Sequence, residues 1–307
     1  MPATRRKDLS VDGHRIAVSN PEKVLFPRSG ITKEEYVEYY RDVAPYALPH
    51  LRGRPISLER FPDGLGGERF FQKEIPSFVP DYVRRVTVVH EGDEPKPYGV
   101  VDNAASLVYT ANLVCVIHTW TSCADHLRRP DRIVWDMDPM GVGFEHVRAA
   151  SRLFKYVLEE LGLAPHLMTS GSRGLHVVVA VEPAYDTDFV FTFAREASEL
   201  AASKVPQLFT TIFTKSKRGK RVFVDYLRNG FAQTAVAPYV VRILEGGPVS
   251  FPIRWEELDD DSFHPRRYTL RNALDRLEKE GDVWGDLDEG RVRLEEARER
   301  LDGFLGR

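Results

Sequence analysis

The chain has 307 residues, enough for one large domain or two small ones around a sizeable core. Hydrophobic residues make up 42% and charged residues 29%, the ordinary balance of a soluble globular enzyme. The net charge of −3 excludes a bulk polycation, so any nucleic acid must be met by a local basic surface.

Arg5, Arg6 and Lys7 are followed by no apolar stretch, so the start is not a signal peptide, and no apolar run approaches the roughly 18 residues of a membrane helix. A cytoplasmic protein without membrane contact is expected. Thr32 followed by Glu35 is a capping-box pattern. It opens a helix with Tyr36, Tyr40 and Val43 on one face and a stop near Pro45. A second helix starts near Asp102 and puts Leu107, Ala111 and Val114 on one stripe, with His118 on that stripe a turn later. Cys115 and Cys123 form no CxxC pair, which excludes a zinc ribbon or redox motif and leaves core packing in a reducing cytosol. Residues 132–136 read as a strand, and 145–161 as a helix capped by Gly162. Next come a β-branched strand over 175–181, an amphipathic helix over 187–204 and a strand over 221–226. The remainder reads as polar and mostly helical: Leu270, Ala273, Leu274 and Leu277 share a stripe ended by Gly281, and a solvated Arg/Glu-rich helix starts near Arg291. Without repeats, low-complexity segments or a Gly/Ser/Pro linker, the pattern predicts one mixed α/β domain over 1–307. Within it, 1–20 is an N-terminal extension and 255–307 a helical C-terminal part.

The sharpest local feature is Ile133-Val134-Trp135-Asp136-Met137-Asp138-Pro139. Strand alternation puts Asp136 and Asp138 on one side, about 7 Å apart along the chain. Carboxylates crowded at a strand end repel unless a cation joins them, and hard oxygen ligands suit Mg²⁺ or Mn²⁺. The competing reading is an acidic turn, since Asp-x-Asp-Pro is good turn chemistry. DxD also occurs in sugar transferases that hold a nucleotide-sugar diphosphate through a metal. Asp225 closes the strand Val222-Phe223-Val224-Asp225; if that strand neighbours the first, three carboxylates can hold two divalent ions.

Thr169-Ser170-Gly171-Ser172-Arg173-Gly174-Leu175-His176 is a Gly-rich turn entering a strand. Its N–H groups can form an anion-binding concavity, with Arg173 and the hydroxyls of Ser170 and Ser172 as further donors. The plainer alternative is an exposed turn with a packed histidine. In Lys215-Ser216-Lys217-Arg218-Gly219-Lys220-Arg221, five of seven residues are basic, either a solvated hairpin tip or a phosphate contact. Arg69-Phe70-Phe71-Gln72-Lys73 sets adjacent aromatics among cations, a stacking platform for bases, although Phe-Phe is more often core.

In this order and spacing the motifs resemble the polymerase domain of bacterial ligase D, a branch of the archaeo-eukaryotic primase superfamily used in end-joining repair. The resemblance runs from about Pro21 to the C-terminal helices. Its markers are Lys23-Val24-Leu25-Phe26-Pro27, Gly53-Arg54-Pro55, Phe70-Phe71, His118, Asp136-Met137-Asp138-Pro139, residues 169–176, Lys215-Ser216, Val222-Phe223-Val224-Asp225 and Ala237-Pro238-Tyr239. It implies a central, largely antiparallel sheet with flanking helices and one active-site cleft. Asp136, Asp138 and Asp225 look like the catalytic metal-binding triad for two Mn²⁺ or Mg²⁺ ions. His118, Ser170, Ser172, Arg173, His176, Arg218 and Arg242 match the nucleotide side, and Lys23 and Lys33 a 5′-phosphate pocket, while Phe70 and Phe71 match a template-packing pair.

The implied activity is template-dependent addition of NTP or dNTP, with ribonucleotides preferred, at gaps or broken ends of DNA carrying a 5′-phosphate. De novo priming, a sugar transferase and a non-catalytic DNA-end-binding module are the rivals. Without a ligase or nuclease domain attached, the expectation is a free-standing polymerase or an excised domain. It would work with a separately encoded ATP-dependent DNA ligase and with Ku. Three positions depart from the pattern: Glu59 replaces a lysine of some members, Arg228 a glutamine, and Arg173 a lysine. In relatives, the surface loop at 89–98 helps bridge broken ends.

Overall fold

The computed structural model describes residues 5–89, 92 and 94–307. The chain forms two compact units: Met1–Trp120 with Val236–Ser250 and Tyr268–Gly281, and Thr121–Ala235 with Phe251–Arg267 and Asp282–Arg307.

The first unit opens with two short antiparallel ladders, β1 (Arg6–Val11) on β2 (His14–Ser19) and β3 (Val24–Phe26) on β4 (Ile31–Thr32). Helix α1 (Lys33–Leu51) starts as its sequence predicts: the Glu35 N–H donates to Thr32 Oγ1, and the Thr32 N–H donates back to the Glu35 carboxylate at 2.9 Å. It does not stop near Pro45 but runs through Pro45 and Pro49. An internal proline costs about 3 kcal/mol. The extra turns bury Ala47, Leu48 and Leu51, and each large apolar side chain so buried returns about 1.5–3 kcal/mol. The Tyr39 hydroxyl bonds the Tyr239 carbonyl at 3.0 Å, and the Tyr40 hydroxyl accepts the Val241 N–H at 3.0 Å, tying α1 to a distant segment.

After α1 come β5 (Pro55–Arg60), β6 (Phe70–Gln72), β7 (Arg84–Val88), β8 (Lys96–Val100), α2 (Ala104–Asn112) and β9 (Cys115–Trp120). Strands run β9-β5-β8-β7 across an antiparallel sheet, with β6 also on β5. Asn103 caps α2 through the Ser106 N–H. His118 is not on that helix. Val114, at φ +53°, turns the chain, and the β-branched run that follows makes β9. Cys115 is buried there, which pushes its thiol up to about 12. Of the loop expected over 89–98, residues 90, 91 and 93 lie outside the described residues, and its last part is strand β8.

The second unit holds β10 (Arg132–Asp138), α3 (Phe144–Glu160), β11 (His166–Thr169), β12 (Leu175–Ala180), α4 (Thr187–Lys204), β13 (Phe209–Thr210) and β14 (Val222–Asp225). The chain leaves it through β15 (Thr234–Val236) and re-enters at β16 (Pro252–Ile253). Sheet order is β13-β14-β10-β12-β11-β16, antiparallel except for the parallel pair β13–β14. The basic segment between those two strands is therefore a crossover, not a hairpin tip. Trp135 and Met137 are fully buried; the Trp135 indole donates to the Ala194 carbonyl of α4 at 3.0 Å, and its ring lies 5.3 Å from that of Phe154 on α3. Alternation sends Asp136 and Asp138 to the opposite face.

The C-terminal part is not mostly helical. It contains α5 (Ala273–Glu280) in the first unit and α6 (Glu295–Leu305) in the second, of 8 and 11 residues. Gly281, Gly285 and Gly290 break the stretch between them. Among the described residues no helix is long and apolar enough to cross a membrane.

Candidate active site

Strand register builds the acidic centre. Asp136 lies opposite Asp225 on β14 and opposite His176 on β12, so both partners share its face; Asp138 lies opposite Phe223. Each carboxylate meets a cationic or polar group. His176 Nε2 is 3.6 Å from Asp136 Oδ1, Arg173 Nη2 is 3.7 Å from Asp138 Oδ1, and Arg228 Nη2 is 2.9 Å from Asp225 Oδ2. The Leu227 N–H donates to Asp225 Oδ1 at 3.0 Å. Burial pushes the Asp225 carboxyl above its ordinary range; Arg228 opposes this and the neighbouring Asp136 reinforces it.

Among the described residues no three His, Cys, Asp or Glu side chains converge tightly enough to form a ready-made metal cage. The donor set still fits a divalent cation: oxygen ligands on one sheet face, with one carboxylate raised by burial and then by its acidic neighbour. Beyond Asp138 the backbone reverses through Met140, at φ +41°, and Gly141, at φ +92°, and the Met140 N–H donates to Asp138 Oδ1 at 3.3 Å.

The 170–174 turn lies between β11 and β12. Its N–H groups are used differently from the predicted concavity. Those of Ser172 and Gly174 both donate to Ser170 Oγ, at 3.2 and 3.1 Å, so they brace the turn. Donors toward a ligand fall to Arg173, whose side chain is 65% exposed, and to the hydroxyls. Gly174 presses on β10: a Cβ there would sit 2.2 Å from the Met137 carbonyl oxygen. Arg218 is buried rather than displayed. Its guanidinium donates to the carbonyls of Ile212 at 2.7 Å and Phe213 at 2.8 Å, and stacks 3.5 Å from the centre of the Phe223 ring. Lys215, Lys217 and Lys220 remain exposed.

In the first unit, β5–β9 pairing sets His118 opposite Ser57, and its Nε2 lies 3.9 Å from the Glu59 carboxylate. Glu59 is buried; His118 first, then Arg242 and Arg69, hold its carboxyl below the usual range against the effect of burial. Sequence reasoning noted Glu59 as standing where some members carry a lysine but missed that it gathers His118, Arg242 and Arg69. Phe70 and Phe71 are not core: both are exposed on the three-residue strand β6, and the Phe71 ring is 6.0 Å from that of His118.

Lys33 is buried, donates to Ser19 Oγ at 3.1 Å, and is lowered to about 8 by burial and then by the charges of Lys23 and Arg60. Lys23 Nζ bonds the Pro62 carbonyl at 2.9 Å and Asp63 at 2.6 Å. The predicted Lys23–Lys33 pair thus comes together, with Arg60 as a third cation. The even-odd face change along β5 separates Arg60 from Glu59, a signal available in the sequence.

A family model described as LigD, primase-polymerase domain, matches residues 32–284. The chain belongs to the LigD primase-polymerase family. It is 35% identical over 290 residues to the multifunctional non-homologous end joining protein LigD of Pseudomonas aeruginosa, covering 93% of this chain and 34% of that protein. For the Mycolicibacterium smegmatis protein of the same name the identity is 31% over 278 residues, covering 89% and 36%. The chain thus spans about a third of the length of the curated relatives it matches. Among solved structures, the polymerase domain of Mycobacterium tuberculosis ligase D in complex with DNA superposes with a TM-score of 0.83 at 29% identity, covering 90% of this chain and 98% of that one.

The mixed α/β primase-polymerase fold and the nucleotidyltransferase class follow from this membership, and the sugar-transferase alternative falls away. Two of the positions singled out in the sequence take part in ion pairs: Arg228 is the partner of Asp225, and Glu59 is the hub of the His118 cluster.

Proposed function

We propose that the chain is a template-dependent polymerase that fills short gaps or extends broken ends in DNA repair. The observation carrying this is the register that sets Asp136, Asp138 and Asp225 on one sheet face beside Arg173 and His176. In the reaction a primer 3′-hydroxyl attacks the α-phosphorus of an incoming nucleotide, forming a phosphodiester and releasing pyrophosphate. The three aspartates would hold Mn²⁺ or Mg²⁺, which would lower the proton affinity of the attacking hydroxyl and offset charge on the phosphates. His176 orients Asp136. Arg173, with Ser170 and Ser172, receives the triphosphate, and His118 and Arg242 complete the nucleotide contacts, while the buried Arg218 braces the segment before β14. Exposed Phe70 and Phe71 stack on template bases, and Lys23 and Lys33 grip a downstream 5′-phosphate. Ribonucleotides are the preferred substrates. A DNA ligase seals the product, with Ku as the end-binding partner.

Primer extension on a gapped duplex, with and without the 5′-phosphate, tests this reading. The Asp136→Ala/Asp138→Ala protein should lose extension yet keep binding to the 5′-phosphorylated gap. Undiminished extension by that double variant rejects the assignment, and addition on an unprimed single strand would make the protein a primase.

A further inference from the structure

A cleft of about 350 Å³ opens in the second unit where β10 ends. One wall is apolar, formed by Pro139, Val142 and Phe144 with Pro265. The other carries Arg173, His264 and Arg266, so every ionisable side chain lining it is basic. The loop that supplies His264 and Arg266 also contains acids, but they are engaged elsewhere: Asp260 pairs with Arg267, and Asp261 with Arg148 at 2.9 Å.

Arg266 is built in rather than trailing in solvent. Its Nε donates to the Ser172 carbonyl at 2.9 Å, which fixes the guanidinium beside the 170–174 turn and leaves its terminal nitrogens as donors. The Arg266 N–H in turn donates to His264 Nδ1 at 3.2 Å. With Nδ1 accepting, the neutral imidazole carries its proton on Nε2, a second donor. The cleft adjoins the acidic centre directly, because Pro139 follows Asp138 and Arg173 Nη2 lies 3.7 Å from Asp138 Oδ1.

This combination selects a ligand class. The donors of Arg266 and His264 call for an anion, and the apolar side chains call for a ring or sugar face beside it. A bare pyrophosphate uses only the first property and a nucleotide uses both; with the incoming triphosphate on Arg173 and Ser172 at the cleft's edge, Arg266 and His264 are left for a nucleotide within a strand. We propose that the cleft seats the terminal nucleotide of the primer strand. Its phosphodiester lies on Arg266 and His264, its sugar and base lie along Phe144, and its 3′-hydroxyl is delivered toward Asp138. The assignment rests on the polymerase reading above.

The test uses the full chain and two readouts. Arg266→Gln and His264→Gln should each weaken binding of a recessed primer–template duplex about tenfold by fluorescence anisotropy and raise the KM for primer by a similar factor. Affinity for a fluorescent ATP analogue should stay unchanged. His264→Gln leaves the Arg266–Ser172 bond in place, so a disturbed turn cannot account for its effect. Unchanged primer affinity in both variants overturns the proposal. An equal loss of affinity for the ATP analogue also overturns it and reassigns the cleft to the triphosphate. A wild-type protein that binds primer–template but adds no nucleotide rejects the polymerase reading instead, and the binding measurement still decides the cleft.

Discussion

The acidic centre of the second unit and the basic clusters of the first are assembled by different physics. In the second unit, two β-ladders position the chemistry. Asp136 faces Asp225 and His176 because backbone hydrogen bonds fix which residues oppose each other. In the first unit, the β5–β9 ladder sets His118 near Glu59, but Arg242 and Arg69 meet that carboxylate by charge from other segments, and Lys33 is held near Lys23 and Arg60 by burial against their repulsion. A site held by register tolerates a change of side-chain charge. A site held by charge should respond to pH and to single neutralisations.

The strongest test of the register side is Asp225→Asn. The asparagine keeps the shape and the strand pairing but removes an anionic ligand. Loss of several kcal/mol of transition-state stabilisation corresponds to about a thousandfold or more in single-turnover extension. The melting temperature should hold, because the Asp225 carboxyl is raised by burial first and then by its neighbour Asp136. A collapse of stability would mean that the Asp225–Arg228 pair, at 2.9 Å, is structural rather than catalytic.

Next in size is Gly174→Ala. The new Cβ would need the space 2.2 Å from the Met137 carbonyl oxygen, so the turn must lift off β10. Overpacking of this kind costs about 1–3 kcal/mol. Denaturant titration should show that loss together with weaker nucleotide binding. Wild-type stability would mean that the turn is not braced against the strand.

These contrasts explain what the sequence disclosed. Alternation along Ile133-Val134-Trp135-Asp136-Met137-Asp138 placed both aspartates on one face, and the helix over Thr187–Lys204 was legible from its periodicity. The neighbour relation of β10 and β14 was a conditional that only the fold could settle. Local rules failed where long-range burial prevailed. Pro45 did not end α1, because residues beyond it pack inside, and His118 left the helical stripe for strand β9. Phe70 and Phe71 went the other way, exposed despite their composition. Glu59 looked like a departure from a family pattern, and nothing near it in sequence announces Arg242.

A smaller effect is expected from pH at Lys33. Its ammonium is lowered to about 8, by burial first and then by Lys23 and Arg60. The unfolded lysine titrates near 10.4, so between these values the unfolded chain binds more protons and stability rises with pH. The charge available to a phosphate moves the other way. Preference for a 5′-phosphorylated end should decline above pH 8, by up to about tenfold per pH unit, as the ammonium deprotonates. Lys33→Arg should hold its preference to higher pH. Parallel anisotropy curves for the two proteins would remove Lys33 from the pocket.

The smallest and most diagnostic change is Glu59→Gln. If the carboxylate mainly offsets the charge of Arg242 and His118, neutralising it frees them for a triphosphate, and nucleotide affinity should rise about fivefold, near 1 kcal/mol. If it mainly orients His118, which lies 3.9 Å away, affinity should fall. Stability separates the two contributions further. A carboxyl held below its unfolded value stabilises the fold above about pH 4.3 and loses that contribution as pH falls through its folded value. Wild type should therefore exceed the variant in stability at pH 7, with the gap closing in acid. A gap that persists under acid would assign Glu59 a packing role independent of its charge. A rise in nucleotide affinity with a pH-dependent gap would show that this member of the family carries an internal counter-anion on its nucleotide side.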